Sequence, residues 1–301
     1  MEECVRIANQ LTKNLEQEYI YCDYRMQGSV PCNTHIRGVS DVDFLVIIKD
    51  KYYFDASGPK ANQYHPYSGN LLQDIVDLRN SCESVLDKQF PAAKIDKNGK
   101  KSIKISGGSL RREVDIVPSA WFNSISYQHS GHERDRGVDI LDRSVPKTIR
   151  NFPFLHIHHV NDRGTLTIGG LKMSVRLIKN IKNDSDRSIR LSSYELAGLM
   201  WNCPPEWLMW RSGYDLLILV GTEKYLSALS SNYELTKDLK TPDGTRYIID
   251  SPEKFDALVA LSQEVTEITE TVFSELPNSV RLNAGYDVTR RRLALSESYL
   301  P

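Results

Sequence analysis

Apolar residues recur along this chain with two periods, and the change from one to the other divides it into a front and a back half. Val5, Ala8, Leu11, Leu15 and Tyr19 repeat at steps of three and four, which predicts an amphipathic helix ending near Arg25. FLVIIKD (44–50) is a short continuous apolar run and reads as a largely buried strand. After a loop rich in Tyr, Gly, Asn and Pro, the positions Leu72, Ile75, Val76, Leu78 and Val85 predict a second helix. Residues 101–105 and 113–117 read as two strands joined by a Gly107-Gly108 turn.

Beyond Pro153 the period is helical. Leu171, Val175, Ile178 and Ile181 form one apolar stripe. SYELAGLMW starts a helix at Ser192 or Ser193, and WLMWRSGYDLLILV reads as another. Ser251-Pro252 is a helix start signal, followed by Phe255, Leu258, Leu261, Val265, Ile268 and Val272 on one face. The last twenty-five residues lack a sustained period and are expected to form a tail. The expected domains are therefore 1–150, with the N-terminal helix, 151–276, which is helical, and the tail 277–301.

Composition narrows the function classes. A net charge of −1 over 301 residues does not fit a globally basic nucleic-acid binder. Cys4, Cys22, Cys32, Cys82 and Cys203 are odd in number, scattered and without a CxxC pair. That argues against a disulfide framework and a cysteine zinc site, and fits a reducing cytoplasm. The N-terminus is acidic and amphipathic, unlike a signal peptide, and runs such as LLILV are too short to span a bilayer. No membrane association is expected.

Candidate chemistry begins at the start of the first strand, where Asp41 and Asp43 stand one residue apart. In extended backbone they project to one face, a spacing that suits a divalent cation with hard oxygen ligands. The alternative is a turn cap at Asp41 and a solvated strand end at Asp43. Asp115 lies in the apolar run VDIV, where an aspartate without a cation is expensive to bury. Three carboxylates can hold two metal ions roughly 3.5–4 Å apart, as in-line nucleotidyl transfer requires. Upstream, Gly28-Ser29 offers a close backbone approach, successive N–H groups and a hydroxyl for phosphate oxygens.

This Gly-Ser, Asp-x-Asp and later Asp constellation resembles the DNA-polymerase-β-like nucleotidyltransferase superfamily. THIRGVSDVDFLV, VDIVPS and the later SYEL are most similar to the branch containing oligoadenylate synthase, cyclic GMP–AMP synthase and the bacterial CD-NTases of anti-phage signalling. The likeness spans roughly residues 20 to 230. It implies an α+β fold: a polymerase-β-like core, a mixed sheet flanked by helices, packed on a C-terminal helical domain with the active site in the cleft. It also implies that Asp41, Asp43 and Asp115 hold two Mg²⁺ (or Mn²⁺) ions and that Gly28 and Ser29 hold phosphates. Lys172 would meet the triphosphate, Ser193 its terminal phosphate, and Tyr194 would stack on the base. From the residues alone, Lys172, Arg176 and Lys179 could be a solvated basic face, Ser193 an N-cap and Tyr194 a core aromatic.

Other features carry less. GTLTIGGLK has P-loop glycine spacing, but Gly170 stands where the lysine belongs. His156, His158 and His159 in LHIHHV read as strand or loop packing without a zinc partner, and His129 and His132 as surface loop. The segment 88–112 holds eight Lys or Arg against one Asp, which reads as a solvated loop and strand face before a nucleic-acid activator site. The resemblance implies metal-dependent condensation of nucleoside triphosphates, ATP among them, into a cyclic di- or trinucleotide messenger, with release of pyrophosphate. The alternatives are nucleotide transfer to an RNA, protein or small molecule, and a non-catalytic nucleotide-binding module. The tail is the expected dock for a regulatory protein.

Overall fold

The computed structural model describes residues 2–37, 41–145 and 147–299. Gly38, Val39 and Ser40 of the THIRGVSDVDFLV stretch, and the last two residues of the tail, lie outside the described residues. The chain divides into two units: Met1–Pro31 with Gly38–Ile157, and Cys32–Arg37 with His158–Pro301.

The first unit opens with α1 (Glu2–Leu15), which buries Cys4, Ile7, Leu11 and Leu15. Val5, expected inside, is exposed. The helical path does not reach Arg25. Tyr19 takes the left-handed backbone conformation (φ 58°), and the chain turns into β1 (Cys22–Gln27). All six β1 residues are half-buried, so no apolar alternation announces the strand. Next come β2 (Val42–Phe54) and α2 (Leu71–Gln89), with Asn70 capping α2 through the Gln73 N–H. The unit continues through β3 (Lys94–Asp96), β4 (Ile103–Ser106), β5 (Val114–Asn123), α3 (Ile125–Ser130), β6 (Gly137–Asp142) and β7 (Lys147–Asn151).

These strands form one mixed sheet of order β1-β2-β5-β4-β3, with β6 paired to β5 and β7 to β6. β5 runs parallel to β2 along its length. Its other edge is shared, with β4 pairing residues 114–116 and β6 pairing residues 119–122. Enclosed on both edges, β5 is almost wholly buried. Alternation then sorts the side chains. Phe44, Val46 and Ile48 pack with α1, α2, Ile103, Ile105 and Ile116 on one face. Leu45, Ile47, Val117 and Trp121 line the other. Each large aliphatic side chain fully buried here stabilises the unit by about 1.5–3 kcal/mol. By the same alternation Asp43 and Asp115 belong to the face opposite α1 and α2.

α4 (Pro153–Leu166) begins at a proline, a favoured first helical position, and carries all three histidines of LHIHHV. The strand or loop expected there is therefore a helix. In the second unit α5 (Gly170–Asp184) packs against α6 (Ser193–Asn202), α7 (Leu216–Ser230) and α8 (Pro252–Ser274). Gly170 passes so close to the Leu208 carbonyl that any side chain would collide with it, which gives the P-loop-like glycines a packing role. The tail is two short helices, α9 (Asn278–Ala284) and α10 (Val288–Ser296). Ala284 and Leu295 bury themselves against Phe273, Leu216 and Val220. Arg292 pairs bidentately with Glu223 on α7, at 2.6 and 2.8 Å.

Candidate active site

Strand register assembles the acidic residues. Asp43 on β2 is the direct neighbour of Asp115 on β5, and Asp115 is in turn opposite Lys104 on β4. On the other side, β1 pairs Gln27 with Asp43, so Gly28 follows at the edge of this row. Gly28 has φ +75°, and a side chain there would collide with Asp43 Oδ2. Only glycine lets the turn pass so close to the carboxylate. Gly28, Asp41, Asp43 and Asp115 are thus gathered on one region of the first unit.

Lys104 is the residue that sequence reasoning missed. Its Nζ donates to Asp41 Oδ2 at 2.9 Å and to Glu113 Oε2 at 3.0 Å. Those bonds, Asp41's first, hold the ammonium above its ordinary pKa. The loop before it is fixed by the buried Arg79, which donates to the carbonyls of Lys97, Gly99 and Ser102 at 3.0 Å each. The segment read as a solvated basic run therefore includes a lysine committed to the carboxylates. Only the pairing of β4 with β5 reveals it, since Lys104 and Asp115 are eleven positions apart along the chain.

Asp115 is the electrostatic outlier. Burial pushes its carboxyl above the ordinary value, the Lys104 ammonium pulls it down, and the Asp41 charge raises it again. Its Oδ1 is buried and has no hydrogen-bond partner. An acceptor left so is costly, by about 1–3 kcal/mol or more when charged.

These observations fit a divalent cation: an orphaned buried oxygen, hard oxygen donors side by side, and a glycine that clears space at Asp43. Among the described residues no three His, Cys, Asp or Glu side chains form a ready metal cage. Asp41 is engaged with Lys104 instead.

The second unit holds the other candidates. Lys172 Nζ donates to Asn161 Oδ1 at 2.6 Å. Arg176 donates to the Asn33 carbonyl at 2.7 Å, and Lys179, only 6% exposed, to the Thr34 carbonyl at 2.9 Å. The basic stripe of α5 is thus no solvated face; two of its members hold the segment 32–37. Ser192, not Ser193, is the N-cap of α6, in a capping box with Glu195, and Ser193 is exposed in the first turn. Tyr194 is half-buried rather than a core residue, with Asp243 and Thr241 at its hydroxyl and the Arg246 guanidinium 5.8 Å from its ring centre. Burial first, then the Asp243 charge, raises its pKa.

The histidines have local roles. His156 is buried, His158 lies 3.2 Å from Asp162, and His159 meets the Pro242 carbonyl at 2.5 Å while stacking on Trp201. His129 and His132 are exposed.

Residues 158–268 match the family described as the cGAS/DncV-like nucleotidyltransferase C-terminal helical domain. The cyclic dinucleotide synthase CdnE of Yersinia aleksiciae is 39% identical over 298 residues, which cover 97% of this chain and 77% of that protein. The chain belongs to the CD-NTase family. A c-di-GMP synthase of a Lachnospiraceae bacterium is 30% identical, covering 85% of the present chain and 79% of its own. The solved STING-associated CdnE c-di-GMP synthase from Capnocytophaga granulosa superposes with a TM-score of 0.73 at 29% identity, covering 91% of this chain and 81% of that one. This CD-NTase is a nucleotidyltransferase, with the mixed-sheet core and C-terminal helical domain expected of one. Enzymes of the family are generally metal-dependent. No helix among the described residues is long and apolar enough to cross a membrane.

Proposed function

We propose that this CD-NTase joins two nucleoside triphosphates into a cyclic dinucleotide. The observation that carries the reading is Asp115: a half-buried carboxylate with one enclosed, orphaned oxygen, in register beside Asp43. In each of two rounds a ribose hydroxyl oxygen bonds to an α-phosphorus, the bond to the β-phosphate bridge breaks, and pyrophosphate leaves. Two divalent cations, Mg²⁺ by the hardness of the oxygen ligands, held by Asp41, Asp43 and Asp115, would acidify the attacking hydroxyl and neutralise the triphosphate.

The chain's own groups divide the remaining work. Asp115, in register beside Asp43 and on the same strand face, is the group placed to receive the hydroxyl proton. The N–H groups of the Gly28-Ser29 turn and the Ser29 hydroxyl hold phosphate oxygens beside Asp43. Lys172 offers its ammonium to the triphosphate, Ser193 its exposed hydroxyl to the terminal phosphate, and Tyr194 its ring to a base. Guanine nucleotides lead the candidate substrates, because the Lachnospiraceae and Capnocytophaga relatives are c-di-GMP synthases; ATP is the second.

The product's proposed role is a messenger in anti-phage defence, checked by whether deleting the gene sensitises its host to phage. The proposed location is the cytoplasm, in keeping with five free cysteines. A regulatory protein is assigned to the tail, where Leu282 and Tyr286 are exposed.

The test incubates the purified chain with all four ribonucleoside triphosphates and Mg²⁺ or Mn²⁺, then identifies phosphatase-resistant products by mass spectrometry. A cyclic dinucleotide that is absent with the Asp41→Ala/Asp43→Ala variant supports the proposal and shows the chain active without a regulator. Linear transfer to an added acceptor, or nucleotide binding without turnover, would replace it.

A further inference from the structure

We infer that Lys104 is the counter-ion of the metal-free site, and that divalent metal binds by exchange with it. The inference rests on the metal-site reading of Asp41, Asp43 and Asp115. Lys104 sits opposite Asp115 in the β4–β5 register, on the strand face that carries the carboxylates. It reaches Asp41 at 2.9 Å and Glu113 at 3.0 Å, so one ammonium spans two carboxylates, and a third lies beside it. Without that positive charge, clustered aspartates on adjacent strands would repel each other.

The same contact blocks ligation. Lys104 holds Asp41 Oδ2, an oxygen that the proposed cation set would draw on, and among the described residues no three His, Cys, Asp or Glu side chains form a cage. A cation entering the row must take Asp41 from Lys104, which then retains Glu113 as its partner. The site is therefore held together without metal but poorly disposed to bind free metal. A cation delivered already bound to a triphosphate supplies ligands of its own and shifts the exchange. Lys104 is a positioning residue in this account, acting through Asp41.

The experiment measures Mn²⁺ affinity of the full chain without nucleotide, by calorimetry or by the paramagnetic resonance of free Mn²⁺. It compares wild type with Lys104→Met, Lys104→Gln, Lys104→Arg and Asp43→Asn, and records the metal-free melting temperature of each. Lys104→Met and Lys104→Gln should bind Mn²⁺ about three- to fivefold more tightly than wild type, the upper end of the scale for a part-exposed ion pair removed from competition. Both should melt lower without metal and gain more from it, while Lys104→Arg should behave as wild type. Lys104→Gln keeps the side chain's length and polarity should the methionine variant not fold. If the neutral variants bind within twofold of wild type while Asp43→Asn weakens binding, exchange with Lys104 is wrong and the metal site stands. If Asp43→Asn also leaves binding unchanged, the metal-site reading fails and takes this inference with it.

Discussion

Asp115 on β5 and Glu223 on α7 are acidic side chains at least partly withdrawn from solvent, and the structure treats them oppositely. Glu223 is 5% exposed, and both of its oxygens accept from Arg292, which staples α10 onto α7. Asp115 faces a lysine that is shared by two other carboxylates, and one of its own oxygens has no partner. A buried charge with complete hydrogen bonding is an architectural contact. One left incomplete, within a row of like charges, holds an unfavourable electrostatic arrangement that a ligand can relieve. Asp139 on β6 follows the Glu223 pattern, paired bidentately with Arg150, so burial in the same sheet does not by itself make a site.

The contrast breaks most visibly in activity. Asp43→Asn should lower product formation by at least about a hundredfold, the scale of losing charge stabilisation in a polar active site. Steady-state pyrophosphate release per folded molecule measures it, and near-normal turnover would remove Asp43 from the chemistry. On the architectural side, Arg292→Met should destabilise the second unit by roughly 2–4 kcal/mol, because Glu223 would stay buried without its partner. Denaturant unfolding reads this loss, while the Mn²⁺ affinity of the sheet site should stay as in wild type. A smaller effect is expected at Lys179→Met, about 1.5–3 kcal/mol, from the lost charged hydrogen bond to the Thr34 carbonyl.

The pH dependence sharpens the comparison further. Asp115's folded pKa lies above its unfolded value, so the folded state holds the proton longer. Its unfavourable contribution is absent below the ordinary aspartate range and grows as pH rises through the raised folded value. Metal-free Asp115→Asn should therefore be at least as stable as wild type at neutral pH, and its advantage should disappear on acidification. Thermal melts across that range, with chelator present, would contradict the reading if the variant were less stable at neutral pH.

Much of the sheet site was legible in the sequence because a strand's period of two is short and fixed. Asp41 and Asp43 were expected to share a face and Asp115 in VDIV to be buried; β2 begins at Val42, just after Asp41, and Asp115 is half-buried with its Oδ1 enclosed. Lys104 was not legible, because its relation to Asp115 depends on which strands pair and in what register. β1 escaped because no residue in it is fully buried. LHIHHV looked extended because its histidines alternate, whereas Pro153 had already begun a helix. The two tail helices have seven and nine residues, too few turns to establish a period, and they are held by Leu295 and Arg292 contacts from distant parts of the chain. For Lys172, Ser193 and Tyr194 the sequence alone offered helix positions, and their proposed roles come from the family resemblance.

The most direct test of the central claim, that the β2–β5–β4 row performs the chemistry, is turnover by Asp115→Asn. Wild type and variant would be given nucleoside triphosphates and Mg²⁺, with cyclic product quantified by mass spectrometry and folding checked by the metal-free melt. The account predicts a loss of at least about a hundredfold in product with an undiminished melting temperature. Wild-type-like product formation by a folded Asp115→Asn would contradict it.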